Sequence, residues 1–204
     1  MNQPTPEALR VAESARSIAQ QMLQERGRGA VLVGAARVDA ALEVLLKASL
    51  APPLGSETLF PNDRPLGSFG ARIALAQRMG LIDHQVVRAL HTLRRVRNAF
   101  AHSTTVASLG EASYQQSLGD CYRHARENPL WEPLERILDE QLQPPNGNAG
   151  ESKAPDRFLR DYILLITILV AFLEATAQQL QPLRPPVVMG FSGITRSNGT
   201  PQAF

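Results

Sequence analysis

The chain is poor in several things, and each scarcity narrows what it can be. Cysteine occurs once, at Cys121. No intrachain disulfide can therefore form and no cysteine-based zinc site can be assembled, which fits a reducing, cytoplasmic setting. Net charge is nearly absent: 21 Lys and Arg against 19 Asp and Glu leave +2. The pI near 9.0 rests on that margin of two charges, so bulk charge makes no case for a nucleic-acid partner, and any electrostatic role must come from local clustering. Aromatic residues make up only 5% of the chain. The N-terminus carries Pro4 and Pro6 but no basic region leading into an apolar stretch, so no signal peptide is expected. The longest apolar run, Tyr162 to Leu173, is bounded by Arg160 and Asp161 before it and Glu174 after it. A bilayer span needs about 20 apolar residues, so this run suits a central core helix instead. Strand-like alternation over five or more residues is missing. So is any His/Asp/Glu cluster at ligand spacing, and neither a metal nor a cofactor is expected.

What is present is helical patterning in a chain that is 44% hydrophobic over 204 residues, enough for one domain with a real core. The pattern predicts an all-α, bundle-like domain over residues 1–180, built around an apolar C-terminal core helix, with a loose Pro/Gly-rich tail over 181–204. The first helix is expected over 6–26, stopped by Gly27 and Gly29, and the second over 30–50, ended by Pro52 and Pro53. The second carries a stripe of Val31, Ala35, Val38, Leu42, Leu45, Leu46 and Ser49, with Asp39 and Glu43 one turn apart on its edge. A Pro/Gly-rich loop follows over 51–67. Ser68 caps a helix that reaches Met79 and ends at Gly80, and Asp83 caps the next. A break over 103–110 precedes helices near 111–127 and 132–142. Residues 143–155 read as a flexible connection to the core helix over 156–180.

The densest chemistry lies in His91-Thr-Leu-Arg-Arg-Val-Arg-Asn-Ala-Phe-Ala-His102-Ser103. An α-helix turns about 100° per residue. With His91 at zero, His84, Arg95, Asn98 and His102 fall within about 40° of it and form a polar stripe that Arg88 widens. Val86, Ala89, Leu90, Leu93 and Phe100 gather opposite. Arg97 lands at about 240°, between Leu93 and Leu90, on or beside the apolar side. An arginine buried there stays charged and needs a carboxylate, for which Asp39 and Glu43 are the candidates. Arg97 and His102 also have a catalytic reading with Asn98. In an ideal helix they point about 140° apart, so they act on one phosphate only if the helix ends or bends near His102, or if a second subunit supplies one of them. His84 and His91 stand two turns apart, about 10 Å, too far to chelate one metal.

The segments Pro65-Leu-Gly-Ser-Phe-Gly-Ala-Arg-Ile-Ala-Leu-Ala76, Met79-Gly-Leu-Ile-Asp83 and Leu93-Arg-Arg-Val-Arg-Asn-Ala-Phe-Ala-His-Ser103 resemble the mannitol operon repressor family of bacteria. So does Val31-Leu-Val-Gly-Ala-Ala36 with Asp39, Leu42 and Glu43. The resemblance covers roughly residues 25–105 well and the core helix loosely. It implies an all-helical regulator, without a recognised DNA-binding domain, that acts through other proteins. A wider resemblance is to HEPN domains, helical and usually dimeric, many of which are ribonucleases with an Arg-x4-6-His motif. Arg97-Asn98-Ala-Phe-Ala-His102 matches it, including the polar residue after the arginine. The resemblance implies that Arg97 stabilises a phosphate through its planar fork and His102 moves a proton, with RNA supplying its own 2′-hydroxyl and no metal required. A third pattern is a helix-turn-helix over residues 72–90. Ala76, Gly80, Leu81, Val86 and Ala89 match its spacing, and His84, Gln85 and Arg88 would face DNA. Against it, Asp83 would sit near phosphates and the second helix outruns a recognition helix. The expectation is a homodimeric regulator with a protein partner. Ribonuclease action on RNA is the alternative, and direct DNA binding is not expected.

Overall fold

The computed structural model describes residues 6–53, 55, 58–103, 107–142, 157–184, 187–191 and 193–196. Its elements are α1 (Pro6–Ser49), α2 (Phe69–Arg78), α3 (His84–His102), α4 (Ala112–Arg126), α5 (Trp131–Leu142) and α6 (Arg157–Gln179), then β1 (Val187–Gly190) and β2 (Gly193–Arg196). The domain is all-α, as the periodicity predicts.

Helix α1 is unbroken in its residues but is not one rod. Gly27 takes φ +43°, the left-handed region that glycine enters at no steric cost. A straight helix would hold Gln21 and Arg37 about 24 Å apart, yet Arg37 Nη2 donates to Gln21 Oε1 at 2.7 Å. Likewise, a Cβ on Gly34 would lie 2.8 Å from Met22 Cε. The chain therefore doubles back at Gly27, and residues 6–26 and 28–49 pack as antiparallel arms. The stop expected at Gly27 is present, and the reversal is tighter than expected, with helical residues continuing on both sides of it.

Helix α6 lies against both arms. Ser14 Oγ donates to Glu174 at 3.4 Å, and the Tyr162 hydroxyl donates to the Val31 carbonyl at 3.3 Å. Gly34 lets Ile166 and Tyr162 approach the second arm. These pairings run α6 antiparallel to the first arm and parallel to the second. Residues 162–171 are all buried, and Thr167 satisfies its hydroxyl on the Ile163 carbonyl. Fully burying one Leu or Ile contributes roughly 1.5–3 kcal/mol, so this apolar helix organises the bundle. One continuous core joins it to side chains of all the other helices.

Ser68 caps α2 by accepting from the Ala71 N–H, and Asp83 caps α3 by accepting from the Val86 N–H, both as expected. Gly80, at φ +69°, turns the chain between them. Gly70, near the start of α2, lies against the Arg94 side chain. The two helices are therefore antiparallel neighbours.

The tail departs from expectation. The sequence predicts a loose tail, but Val187–Gly190 and Gly193–Arg196 pair as an antiparallel hairpin in which Val187 meets Arg196 and Gly190 meets Gly193. Each strand has four residues, too few for the alternation that signals a strand. Leu183 N–H donates to the Ser49 carbonyl at 2.7 Å and ties the start of the tail to the end of α1. The connection 143–155 and residues 185, 186, 192 and 197–204 of the tail lie outside the described residues. No helix among the described residues is long and apolar enough to cross a membrane.

Candidate functional site

Helix α3 carries the candidate residues, and its ends are firmly set. It stops at His102, because Ser103 turns to φ −64°, ψ 130° while its N–H still donates to the Ala99 carbonyl. The last carbonyls of any helix lack intrahelical partners. Here Arg28, beside the Gly27 reversal, donates Nη2 to the Ala101 carbonyl at 2.5 Å and Nη1 to the Ser103 carbonyl at 3.1 Å. A cation at a helix C-terminus also complements the macrodipole. Sequence reasoning passed over Arg28. Its signal was a basic side chain between Gly27 and Gly29, where the chain must reverse.

The polar stripe is real. His84, Arg88, Arg95, Asn98 and His102 are exposed and His91 is partly buried, while Leu90, Leu93, Val96 and Phe100 are buried behind them. From His84 to His102 it extends about 27 Å. Arg88 reaches Asp120 on α4 at 3.1 Å, and Asp120 also holds Arg123 at 2.5 Å. Arg95 donates to the Thr92 hydroxyl at 3.2 Å. Partial burial first, then the neighbouring charges of Arg94 and Arg95, push the His91 imidazole below its ordinary value of 6.5.

The expected ion pair of Arg97 with Asp39 and Glu43 is not formed. Both carboxylates are taken by Arg72, whose Nη1 lies 2.8 Å from Asp39 and whose Nη2 lies 2.8 Å from Glu43. Arg72 is buried and also donates to the carbonyls of Leu66 and Phe60, pinning the 59–68 loop onto α1. Lys47 joins at 2.6 Å from Glu43. Arg97 is exposed and donates to its neighbour, the Asn98 side-chain oxygen, at 3.1 Å. The physical reason is the length of α2. It covers that sector of α3 as far as Arg94, where Gly70 packs, and it begins at Phe69. One turn further along α3, Arg97 has run past it.

Arg97 and His102 thus share exposure but not direction. They lie on one continuous helix, about 140° apart around its axis, so within one subunit they do not converge. Asn98 and His102, four residues apart, share a face with Arg95. Among the described residues no three His, Cys, Asp or Glu side chains come together to hold a metal.

The helix-turn-helix pattern fares poorly in geometry. Such helices diverge at about 90–120°, whereas α2 and α3 stay adjacent as far back as Gly70 and Arg94. Two of the three base-reading candidates, Gln85 and Arg88, line a concave groove, and Arg88 is held by Asp120. The chain matches no family model, no curated protein and no solved structure.

Proposed function

We propose that the protein is a cytoplasmic transcriptional regulator of the mannitol operon repressor type, a homodimer that acts through protein contacts and not through a DNA-reading helix. The observation that carries this reading is the form of α3. It offers a stripe of six polar residues, five exposed and His91 partly buried, along about 27 Å, laid on a packed body between α2 and α4, and no helix among the described residues stands free to enter a groove of DNA. The residues behind the resemblance also divide sensibly. Asp39, Glu43 and Arg72 build the scaffold, and the stripe from His84 to His102 is left for recognition. The test is binding of the purified protein to promoter fragments of the genes it regulates, at physiological salt. No sequence-specific shift is expected without a partner protein. A specific shift that disappears in Arg88→Ala, and persists when unrelated surface charges are changed, overturns the reading in favour of the helix-turn-helix.

A second reading, a metal-independent ribonuclease, is favoured by one specific observation. Arg97 and His102 are both exposed, Asn98 supports Arg97, and α3 ends at His102. The arginine of one subunit would neutralise the phosphate while the histidine of another moves a proton to or from the ribose, so the reaction requires a dimer. Cleavage of RNA in EDTA by the wild type, and its loss in a folded His102→Ala variant, supports this reading. Equal cleavage by the two proteins rejects it.

A further inference from the structure

An open groove of about 940 Å³ runs between α3, α4 and α6, a size at the upper end of small-ligand sites, roughly 300–1,000 Å³. Its floor is the outer face of α6, with Leu165, Ile168, Leu169 and Phe172. Phe172 is 46% exposed although it sits on the most buried helix of the molecule. One wall is α3, which contributes Arg88, His91, Arg94 and Arg95.

The charges around this groove do not balance. The two carboxylates that line it are already engaged: Asp83 caps α3, and Asp120 holds Arg88 and Arg123. Arg94 and Arg95 are left without a carboxylate among the described residues. Arg95 has the Thr92 hydroxyl, and Arg94, whose Nη1 lies against Gly70 of α2 at one edge of the groove, has its Nε buried with no hydrogen-bond partner. A buried cationic N–H without an acceptor is unfavourable and calls for a partner. Partial burial first, and then the charges of Arg94 and Arg95, lower the proton affinity of His91 on the same wall.

We propose that this groove binds a small amphipathic anion, its carboxylate or phosphate head on Arg94 and Arg95 and its apolar body on the α6 floor. Planar guanidinium groups match the geometry of both heads. The body covers Phe172 and removes its ring from water. Binding here goes beyond the regulatory role above and does not depend on it.

The experiment is calorimetric titration of the full chain with decanoate and decyl phosphate below their micellar concentrations, decanol below its solubility limit, and inorganic phosphate. Light scattering follows subunit number in parallel. Either alkyl anion is expected to bind saturably and at least tenfold tighter than decanol, with no saturation by inorganic phosphate. The Arg94→Gln/Arg95→Gln variant is expected to bring both anions down to the decanol level. Phe172→Ser, at a half-exposed position that leaves the fold intact, is expected to weaken every alkyl probe about tenfold. Arg136→Gln, at an exposed position on α5, is expected to change nothing. Equal affinity for decanoate and decanol overturns the proposal. So does wild-type affinity in the arginine and Phe172 variants, or binding that appears only when a dimer dissociates, which gives the groove to a second copy of the chain.

Discussion

Replacing Arg72 by methionine keeps the apolar stem and removes the charge, and it is the sharpest test of how the segments that carry the resemblance are used. Removing one partner of a buried ion pair costs about 3–5 kcal/mol, because the other charge is left behind. Two features reduce that figure here. The side chains of Asp39 and Glu43 remain 27% and 25% exposed, so water reaches them, and Glu43 keeps Lys47 at 2.6 Å. Two others restore it: the carbonyls of Leu66 and Phe60 lose their charged donor, and the 59–68 loop loses its tie to α1. The expected loss is about 3 kcal/mol. At roughly 2–4 °C per kcal/mol for a chain of this size, Tm falls by about 6–12 °C. Neutralising the orphaned carboxylates in the Arg72→Met/Asp39→Asn/Glu43→Gln variant is expected to recover about half of the loss. Arg97→Met, by contrast, changes stability by no more than about 0.5 kcal/mol, as an exposed substitution should. The assay is calorimetric or urea-induced unfolding of the four proteins. A Tm for Arg72→Met within about 2 °C of wild type, or an equal fall in Arg97→Met, refutes the assignment of the buried charge to Arg72.

Three further outcomes follow from the same geometry. Gly34→Val places a side chain where a Cβ already meets Met22, Ile166 and Tyr162 within 3.1 Å, at a cost of about 1–3 kcal/mol. Adding Met22→Ala relieves part of that cost only if the arms fold back at Gly27, so an absence of coupling in urea unfolding contradicts the reversal. Arg28→Met removes the donor to the Ala101 and Ser103 carbonyls. It is expected to cost about 0.5–1.5 kcal/mol and to raise hydrogen exchange in the last turn of α3, whereas unchanged exchange there contradicts the tie. The folded proton affinity of His91 lies below its ordinary value of 6.5, mainly through burial, so the unfolded chain binds the proton more readily. Its contribution to stability is complete above pH 6.5 and is lost as pH falls from there through the folded value. Unfolding across that range should show a slope that flattens in His91→Gln.

The sequence made much of this architecture legible, for local reasons. The caps at Ser68 and Asp83, the glycine stops at Gly27 and Gly80, and the apolar α6 are each encoded within a few residues of where they act. The stripe on α3 was readable because its period is that of the helix. The acidic pair Asp39 and Glu43 announced that an arginine must meet it. Which arginine was not legible, because Arg72 reaches them only after a loop of some twenty residues folds back, and the helical angle of Arg97 says nothing about where α2 begins. Arg28 escaped for the same reason: its partners are the carbonyls of a helix more than seventy residues away. The tail hairpin left a faint mark in Val187, Val188, Ile194 and Thr195 around Gly190 and Gly193, outweighed by the surrounding proline, glycine and serine.

The role of the α3 stripe is tested most directly by sequencing RNA, with its 5′ ends mapped, from cells that carry wild-type, Arg95→Glu or His102→Ala protein at equal abundance. A regulator working through protein contacts alters the amounts of a defined set of transcripts. That effect disappears in Arg95→Glu and leaves the transcript ends the same in all three strains. New cleavage ends in the wild-type strain that vanish in His102→Ala would contradict the account and give α3 to catalysis.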